Sequence, residues 1–567
     1  MAGGGPITPS SGKRYNARMT AYVWMVCILG GAGGLLLGYD NGVIGGVTAL
    51  PNFQLKFYPS IYEAEQLQKI GANNAYCKYN SQTLQLMVSS LYLSAIVFGL
   101  LAAPFTRKYG RKPPLVVAGI FFVIGSAVMA GGVNVAMLIV GRVLLGVGVG
   151  LASLVMPMYN AEMAPPHMRG AMNILFQLFV TIGILAAGLI NYGASYMSGN
   201  GGWRMSLGLA GVPGLIVLFG GIVLPDSPNS LCERGQLDKA RKVLERIRGT
   251  KDVQEEFDDM VEAARMANMV KNSMANLFKS KYRPQLVISL MFMMFQQFAG
   301  INAIIFYAPV LFSSLGSGHT ASLLNTVIIG AVNVASTLVA VAFVDRVGRK
   351  FLLIAGGIQM IICEIIVGVT LKYEFGKYGA TLPNASSIGI LVVICVYIAG
   401  FAWSWGPIGW LYPTEIQPLE TRAAGASLNV ASNMLFTFVI GQCFVTMLCS
   451  MKWGVFLFFA GMVVIMVLWT IFFLPETKGL AIEEVFRAFQ KHWFWTRASR
   501  ITEVHNAGML PVVGEKEGME GKNVEMGGRG AALMPVRTAA GAGLEPQASA
   551  SKLILTQAHR TCVARGV

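Results

Sequence analysis

Long apolar runs, separated by polar segments, set the pattern of the chain. A helix needs about 20 apolar residues to cross the hydrocarbon core of a bilayer. Runs of that length fall into two groups of six. The pattern therefore predicts membrane-spanning helices near 21–47, 83–105, 114–133, 136–158, 171–192 and 204–224, and then near 284–310, 321–344, 351–371, 388–412, 423–449 and 453–474.

Polar segments divide these runs into domains. The longest charged stretch contains LDKARKVLERIRG and VQEEFDDMVEAARMANMV, whose apolar residues have helical spacing, so we predict amphipathic helices there. The tail is rich in Gly, Ala and polar residues and is expected to be disordered after about residue 506. The predicted domains are a tail at 1–20, a half at 21–224 with a lid segment at about 48–82, a linker at 225–283, a second half at 284–474 and a tail at 475–567.

Three sequence motifs recur in the same order in both groups. RKYGRK at 107–112 matches DRVGRK at 345–350, and LPDSPNSL after the sixth run matches LPETKG after the twelfth. YNAEMAPPHMRGA and YPTEIQPLETRAAG share one spacing between a glutamate and an arginine. The chain is therefore a duplicated six-helix unit, an arrangement typical of transporters that rock two halves around a central site.

Composition and charge agree with a membrane protein. Hydrophobic residues make up 54% of the chain and charged residues 13%, whereas soluble proteins average about 25% charged residues. The net charge of +16 does not indicate a nucleic-acid partner, because Lys and Arg accumulate in cytoplasmic loops of membrane proteins. The polar, basic start without a cleavage pattern predicts a retained first helix, with both termini in the cytoplasm.

The motifs GRVLLGVGVG, QQFAGINAIIFYAP and LPETKG, with the two Gly-Arg loops, resemble the sugar porter branch of the major facilitator superfamily over about residues 20–480. GYDNG, the cysteine-bearing first loop and PDSPN, with Asn229 where many sugar porters have arginine, resemble the plant and green-algal hexose–proton symporters. The resemblance implies an all-α fold with twelve membrane helices. It also implies proton-coupled uptake of a monosaccharide, with glucose expected, at the plasma membrane by a monomeric unit without a cofactor.

Asp40 lies inside the first apolar run, where a charged side chain is costly and marks a functional site by default. Arg142, at the start of GRVLLGVGVG, is its natural partner, and the resemblance assigns such a pair to proton transfer. The alternatives are a permanent structural ion pair, or two charges that lie at helix ends in water. A second acid, Glu364, lies in another run, and the resemblance gives it no role.

A sugar site needs amides, which both donate to and accept from hydroxyls, and an aromatic ring for the apolar face of the sugar. The resemblance assigns this role to a set of polar residues in the apolar runs and one tryptophan; alternatively each polar residue forms a hydrogen bond between helices. The set is Gln177, Gln296, Gln297, Asn302, Asn333, Trp410, Asn433 and Thr437.

Two further pairs are candidates for conformational gating. Phe306 and Tyr307, beside the predicted site, are expected to form an outer gate. Gly406 and Pro407 interrupt the tenth helix, either as a hinge or as a static kink.

The basic loops and repeated glutamates predict ion-pair networks at the cytoplasmic helix ends, which by resemblance latch the outward-facing state; isolated surface pairs would contribute little. The residues are Arg111, Glu162, Arg169, Arg349, Glu415 and Arg422.

The eight cysteines show neither a CxxC pair nor a histidine at metal spacing, so a metal site is not expected. In the plant symporters a lid after helix one is tied to the second half by a disulfide. Cys77 and Cys449 match that placement, on the oxidising side of the membrane.

Two other functions compete with symport. A facilitative sugar uniporter of the same fold would have no need of Asp40, and a transporter-like sugar sensor would be expected to carry a signalling domain in its tail. An enzyme is not expected, since the sequence shows no nucleophile–base pair, metal cluster or phosphate loop in context.

Overall fold

The computed structural model describes residues 20–69, 77, 79–165, 168–269, 273–314, 318–378, 383–418, 421–478, 488–489 and 491–496. Within these ranges the secondary structure is helical, and twelve helices or helix pairs are long and apolar enough to cross a membrane. The predicted all-α fold with twelve spans is therefore confirmed. Residues 1–19 and 497–567, including the segment expected to be disordered, lie outside the described residues.

The N-terminal half consists of ten helices, whose bounds are α1 Ala21–Gly31, α2 Gly33–Thr48, α3 Pro51–Phe57, α4 Pro59–Lys69, α5 Gln82–Tyr109, α6 Lys112–Ala130, α7 Val135–Met163, α8 Arg169–Ala194, α9 Gly201–Gly208 and α10 Gly211–Val223 among the described residues. Helices α1 and α2 together form the first span, with a break at Ala32, and α9 and α10 form the sixth. The half packs around α7, which contacts α5 and α6 along its length, while α2 packs against α8.

The linker consists of short helices, two of which cover the predicted amphipathic segments. These two are α12 Leu237–Arg248 and α13 Gln254–Met269, and they are flanked by α11 Pro228–Glu233 and α14 Ser273–Leu277. The apolar face of α12, with Leu244 and Ile247, is buried in a cluster with Val23 and Val26 of α1. The linker therefore packs against the N-terminal half.

The C-terminal half repeats the N-terminal arrangement, and two of its spans are likewise interrupted. One breaks at Ala299–Gly300, where Gly300 has φ +83°, a value that favours glycine. The other breaks at Ser404 (φ −125°, ψ −91°). The bounds are α15 Arg283–Phe298, α16 Ile301–Ser314, α17 His319–Val347, α18 Arg349–Tyr378, α19 Asn384–Trp403, α20 Trp405–Ile416, α21 Arg422–Met451 and α22 Gly454–Phe473.

The two halves meet mainly along four helix pairs: α5 with α21, α8 with α17, α2 with α16, and α8 with α20. The site described below lies between them. We call the end of the bundle at which α10 leads into the linker the linker end, and the opposite end, which carries Cys77 and Cys449, the disulfide end.

Candidate functional site

A polar cavity lies between the halves, at the level of the helix breaks. All eight residues predicted to bind sugar line this one cavity, and the seven amide- and hydroxyl-bearing members are nearly buried. They come from four regions of the chain: α8, the α15–α16 span with α17, α20, and α21. The fold therefore brings together residues that are far apart in sequence, and their roles toward a sugar remain a prediction.

Gln296 is fixed on both sides of its amide. Its nitrogen donates to the carbonyls of Trp405 (2.9 Å) and Gly406 (3.2 Å) in the first turn of α20. Its oxygen accepts from the Asn433 amide at 2.9 Å. The start of α20, just after the break at Ser404, thus supplies the acceptors that orient a residue of the cavity.

A second chain of hydrogen bonds crosses the break at Gly300. The Asn302 amide, on α16, donates to the oxygen of Gln297, on α15, at 2.5 Å, and approaches the Thr437 hydroxyl at 3.5 Å. Asn333 differs, because its side-chain oxygen is buried and has no hydrogen-bond partner among the described residues. A hydroxyl group inside the cavity would supply one.

Trp410 closes the cavity toward the linker end. Its ring packs edge-on against Phe176 at 5.2 Å between centroids. Trp410 also lines a second cavity, which reaches Glu162, Asn173 and Arg422 at the linker end. The indole therefore separates the central cavity from a passage toward that end.

Asp40 and Arg142 form a buried ion pair beside the cavity. Arg142 Nη1 lies 2.6 Å from Asp40 Oδ1, and both side chains are almost completely excluded from solvent. The arginine also donates to the carbonyls of Met87 (3.1 Å) and Val88 on α5. Asp40 Oδ2 has no hydrogen-bond partner among the described residues. Arg142 thus joins α2, α5 and α7, and Oδ2 of the Asp40 carboxylate remains able to accept a further hydrogen bond.

Glycines on either side of Asp40 let α2 approach α8 and α16 closely. A Cβ on Gly38 would lie 2.0 Å from the Val180 carbonyl oxygen of α8, and one on Gly45 would lie 2.5 Å from that of Phe306. Only glycine lets α2 touch these backbones. Consequently α2 is in contact with both halves, within a few residues of the acid.

Two residues that the sequence-based prediction missed connect the ion pair to the cavity. Asn41, next to Asp40, lines the cavity and accepts a 2.7 Å hydrogen bond from the Tyr92 hydroxyl. Tyr92 lies on α5, about one turn beyond the carbonyls that Arg142 holds. The position of Asn41 beside the acid in GYDNG could have indicated its role. No feature of the sequence around Tyr92 indicated a role for the tyrosine.

The two predicted gate residues have different contacts. Phe306 stacks on Tyr92 of the other half, with centroids 5.9 Å apart, whereas Tyr307 donates to the Gly441 carbonyl (2.9 Å) within its own half. Phe306 thus contributes to the interface between the halves, whereas Tyr307 joins α16 to α21 within the C-terminal half. Gly406 and Pro407 lie in the first turn of α20, so the helix break at Ser404 precedes Gly406 by two residues and Pro407 by three.

The predicted charged residues at the linker end form pairs within each half. The Arg111 guanidinium donates to both oxygens of Glu162, at 3.1 and 2.7 Å, and Arg349 pairs with Glu415 at 2.9 Å. Arg422 lines the passage toward that end. The side chain of Arg169 lies outside the described residues. The paired motifs therefore bind together the helices of a single half.

The disulfide end, by contrast, is closed by bonds between the halves. Cys77 and Cys449 are joined by a disulfide, which confirms the predicted pairing. Behind it, Ser89 and Gln82 of α5 bond to Gln442 of α21 at 2.8 and 3.1 Å, and Thr446 donates to Asn80 at 3.1 Å. This neutral hydrogen-bond network was not predicted, because its residues lie in two segments that are far apart in the chain.

Comparison with known proteins agrees with this geometry. Residues 26–489 match the model of the family described as Sugar (and other) transporter. The chain is 54% identical over 504 residues to H(+)/hexose cotransporter 1 of Parachlorella kessleri, covering 88% of this chain and 94% of that protein. It is 51% identical over 500 residues to Sugar transport protein 10 of Arabidopsis thaliana, covering 88% and 97%.

A solved structure supports the same assignment. The proton:xylose symporter XylE bound to 6-bromo-6-deoxy-D-glucose superposes with a TM-score of 0.68 at 28% identity, covering 82% of this chain and 99% of that one. These proteins are transporters, in agreement with the prediction of transport rather than catalysis. The chain belongs to the sugar transporter family, within the sugar porter branch of the major facilitator superfamily.

Proposed function

We propose that the chain takes up hexose, with glucose the expected substrate, together with a proton across the plasma membrane by alternating access. The linker end then faces the cytoplasm and the disulfide end the outside. The basic loops at the linker end support this orientation, since Lys and Arg are retained on the cytoplasmic side. A disulfide likewise fits an oxidising compartment. The relatives' names, which include proton–hexose cotransporters, support the substrate and the coupling ion.

The observation that carries the proposal is the buried Asp40–Arg142 pair, which Asn41 and Tyr92 connect to the cavity. Protonation of Asp40 removes its charge and weakens the ion pair, while Arg142 keeps its bonds to the α5 carbonyls. Helix α2 then loses its strongest tie to α7 and can shift. Asn41 lies on α2 and lines the cavity, so a shift of α2 moves it. The shape of the cavity therefore changes with the protonation state of Asp40.

Coupling between the binding of the proton and the binding of the sugar follows from thermodynamic linkage. If the protonated arrangement of α2 binds sugar better, bound sugar must raise the affinity for the proton by the same factor. The sugar itself would bond to the amides of α8, α15, α16, α17 and α21 and lie against the Trp410 ring. The two halves would then close at one end and open at the other.

The test is uptake of labelled hexoses by transport-deficient cells over a range of external pH, with Asp40→Asn beside the unaltered protein. We expect Asp40→Asn to abolish accumulation against a gradient and to remove the pH dependence, while sugar exchange at equal concentrations persists. Glu364→Gln is the matched control, since it neutralises another buried acid that lies outside the cavity lining. Uptake that is insensitive to both pH and Asp40→Asn would instead indicate a uniporter.

A further inference from the structure

A basic pocket lies at the linker end, away from the transport cavity, where α6 begins and α10 runs into the linker. Lys112, the first residue of α6, lines it together with Lys239 and Lys242 of α12 and Arg234, which follows α11. Val116 of α6 lies against Gly221 of α10, where an added Cβ would be only 3.0 Å from Val116 Cγ2. The pocket is therefore about one helical turn from the place where these two membrane helices cross.

The one acid in this pocket is already neutralised. Asp226 accepts hydrogen bonds from the backbone amides of Arg111 and Ser227, each at 3.0 Å, and forms an ion pair with Arg234. Lys239 donates to Gln236 at 3.3 Å. Among the described residues, neither Lys112 nor Lys242 has a hydrogen-bond or ion-pair partner. The pocket thus holds a surplus of positive charge without an anion to match it.

The surface that leads away from the pocket along the membrane is apolar. Near the end of α10, Phe219 is 64% exposed, Ile222 56% and Val223 52%. A compact anion attached to hydrocarbon chains would fit both features at once, with its charge among the lysines and its chains on α10. Basic pockets between membrane helices on the cytoplasmic side are suited to anionic headgroups.

We propose that this pocket binds the phosphate of an anionic phospholipid in the cytoplasmic leaflet, with Lys112 and Lys242 as the principal contacts. The lipid would join the start of α6 to α12 and so hold the linker to the N-terminal half. The membrane placement rests on the proposed function, because it takes the linker end as cytoplasmic. The binding site itself does not depend on proton coupling.

The test measures binding of phosphatidic acid to the purified full-length protein in phosphatidylcholine nanodiscs. We expect the double variant Lys112→Gln, Lys242→Gln to bind about 30-fold more weakly, since each juxtamembrane lysine contributes about 1 kcal/mol and tenfold is about 1.4 kcal/mol. The matched control is Lys279→Gln, Lys281→Gln, which removes the same charge at the same end of the bundle, before α15. This control should bind as the unaltered protein does.

Equal weakening by both double variants would overturn the proposal, because the lysines would then act only through general surface charge. Loss of binding upon addition of millimolar inorganic phosphate or glycerol phosphate would also overturn it, by identifying a soluble anion as the ligand. A single symmetric peak in size-exclusion chromatography establishes that each variant is folded. Asp40→Asn should leave lipid binding unchanged, so that failure of the lipid site and failure of proton coupling are separate results.

Discussion

Gln296 shows how much of the cavity is organised before any sugar arrives. Three hydrogen bonds, to Trp405, Gly406 and Asn433, hold its amide in one orientation. A preorganised amide loses little freedom when a ligand binds, and such ordering is a principal cost of binding. The free acceptor of Asn333 and the oxygens already engaged by Asn302 and Asn433 then determine which hydroxyls can approach.

The substitution Gly409→Ala tests whether the fixed orientation of the Gln296 amide matters for sugar binding. A Cβ at this position would lie 2.3 Å from Gln296 Nε2, so Gly409→Ala must displace the amide. We expect KM for hexose to rise about three- to tenfold, which corresponds to the loss of about one hydrogen bond to sugar, without a change in pH dependence. The measurement is KM, obtained from initial uptake rates over a range of sugar concentrations. The control is Gly389→Ala on the neighbouring α19, because a Cβ at that position meets no atom within 4 Å. An unchanged KM in the Gly409→Ala variant would show that Gln296 is not a sugar ligand.

At this scale the sequence predicted the residues but not their bonds. Polar residues in apolar runs are few and costly, so the amides and Asp40 stood out. Asn41 and Tyr92 did not, because a polar residue beside an acid, and a tyrosine in an apolar run, have many ordinary explanations. Their role follows only from the 2.7 Å contact between two helices.

At the scale of elements, the interruption between α15 and α16 positions three cavity residues at once. Gln296 and Gln297 precede it and Asn302 follows it. The Tyr397 hydroxyl of α19 donates to the Ala299 carbonyl at the break, with 2.5 Å between the two oxygens. An unpaired carbonyl at membrane depth is costly, so Tyr397 stabilises the interrupted conformation.

We therefore expect Tyr397→Phe to disturb the cavity from outside it, since Tyr397 is not among the lining residues. Loss of one hydrogen bond corresponds to about 0.5–1.5 kcal/mol, so sugar affinity should fall by about three- to tenfold. Equilibrium binding of labelled hexose to the purified protein measures the change. Tyr373→Phe, at a position that is 70% exposed on α18, should have no effect; equal affinities in the two variants would mean that the break holds without Tyr397.

The sequence predicted the spans well and their interruptions poorly. Apolar runs reveal a span of the required length, but the breaks at Ala32 and Ala299 each lie inside one such run, so run length alone gives no boundary there. Gly406 and Pro407 did signal a break, yet it falls at Ser404, because proline is tolerated in the first turn of a helix and α20 begins just before it.

At the scale of the whole molecule, the two ends are held by different means. Neutral hydrogen bonds and a disulfide join the halves at the disulfide end, whereas the Arg111–Glu162 and Arg349–Glu415 pairs each lie within one half. The second cavity leads from Trp410 toward the linker end. The structure is therefore closed at the disulfide end. At the linker end neither charged pair joins the halves, but the Asn173 amide of α8 donates to the Thr414 hydroxyl of α20 across them at 3.1 Å.

The duplicated motifs predicted this two-half architecture, since three matches in one order require a repeat. They could not predict the contacts between the halves. Which side chains meet across the interface depends on how two bundles pack, and Ser89 and Gln442 lie 353 residues apart in the chain.

The lid adds one more contact between the halves. Phe53 and Phe57 of α3 pack edge-on against Trp203 of the N-terminal half, at 5.9 and 5.3 Å between centroids, while Cys77 bonds to the C-terminal half. The segment from Leu50 to Cys77 therefore has one end fixed on each half.

The disulfide also makes the protein a covalent ring. Cys77 and Cys449 are 372 residues apart, and the loop they close contains the whole linker. A cut in the linker therefore opens the ring without releasing either half. Cleavage at a protease site inserted at exposed Lys251–Asp252 should give one band on a denaturing gel without reductant and two bands with it. Two bands without reductant would show that the ring is not closed in the membrane.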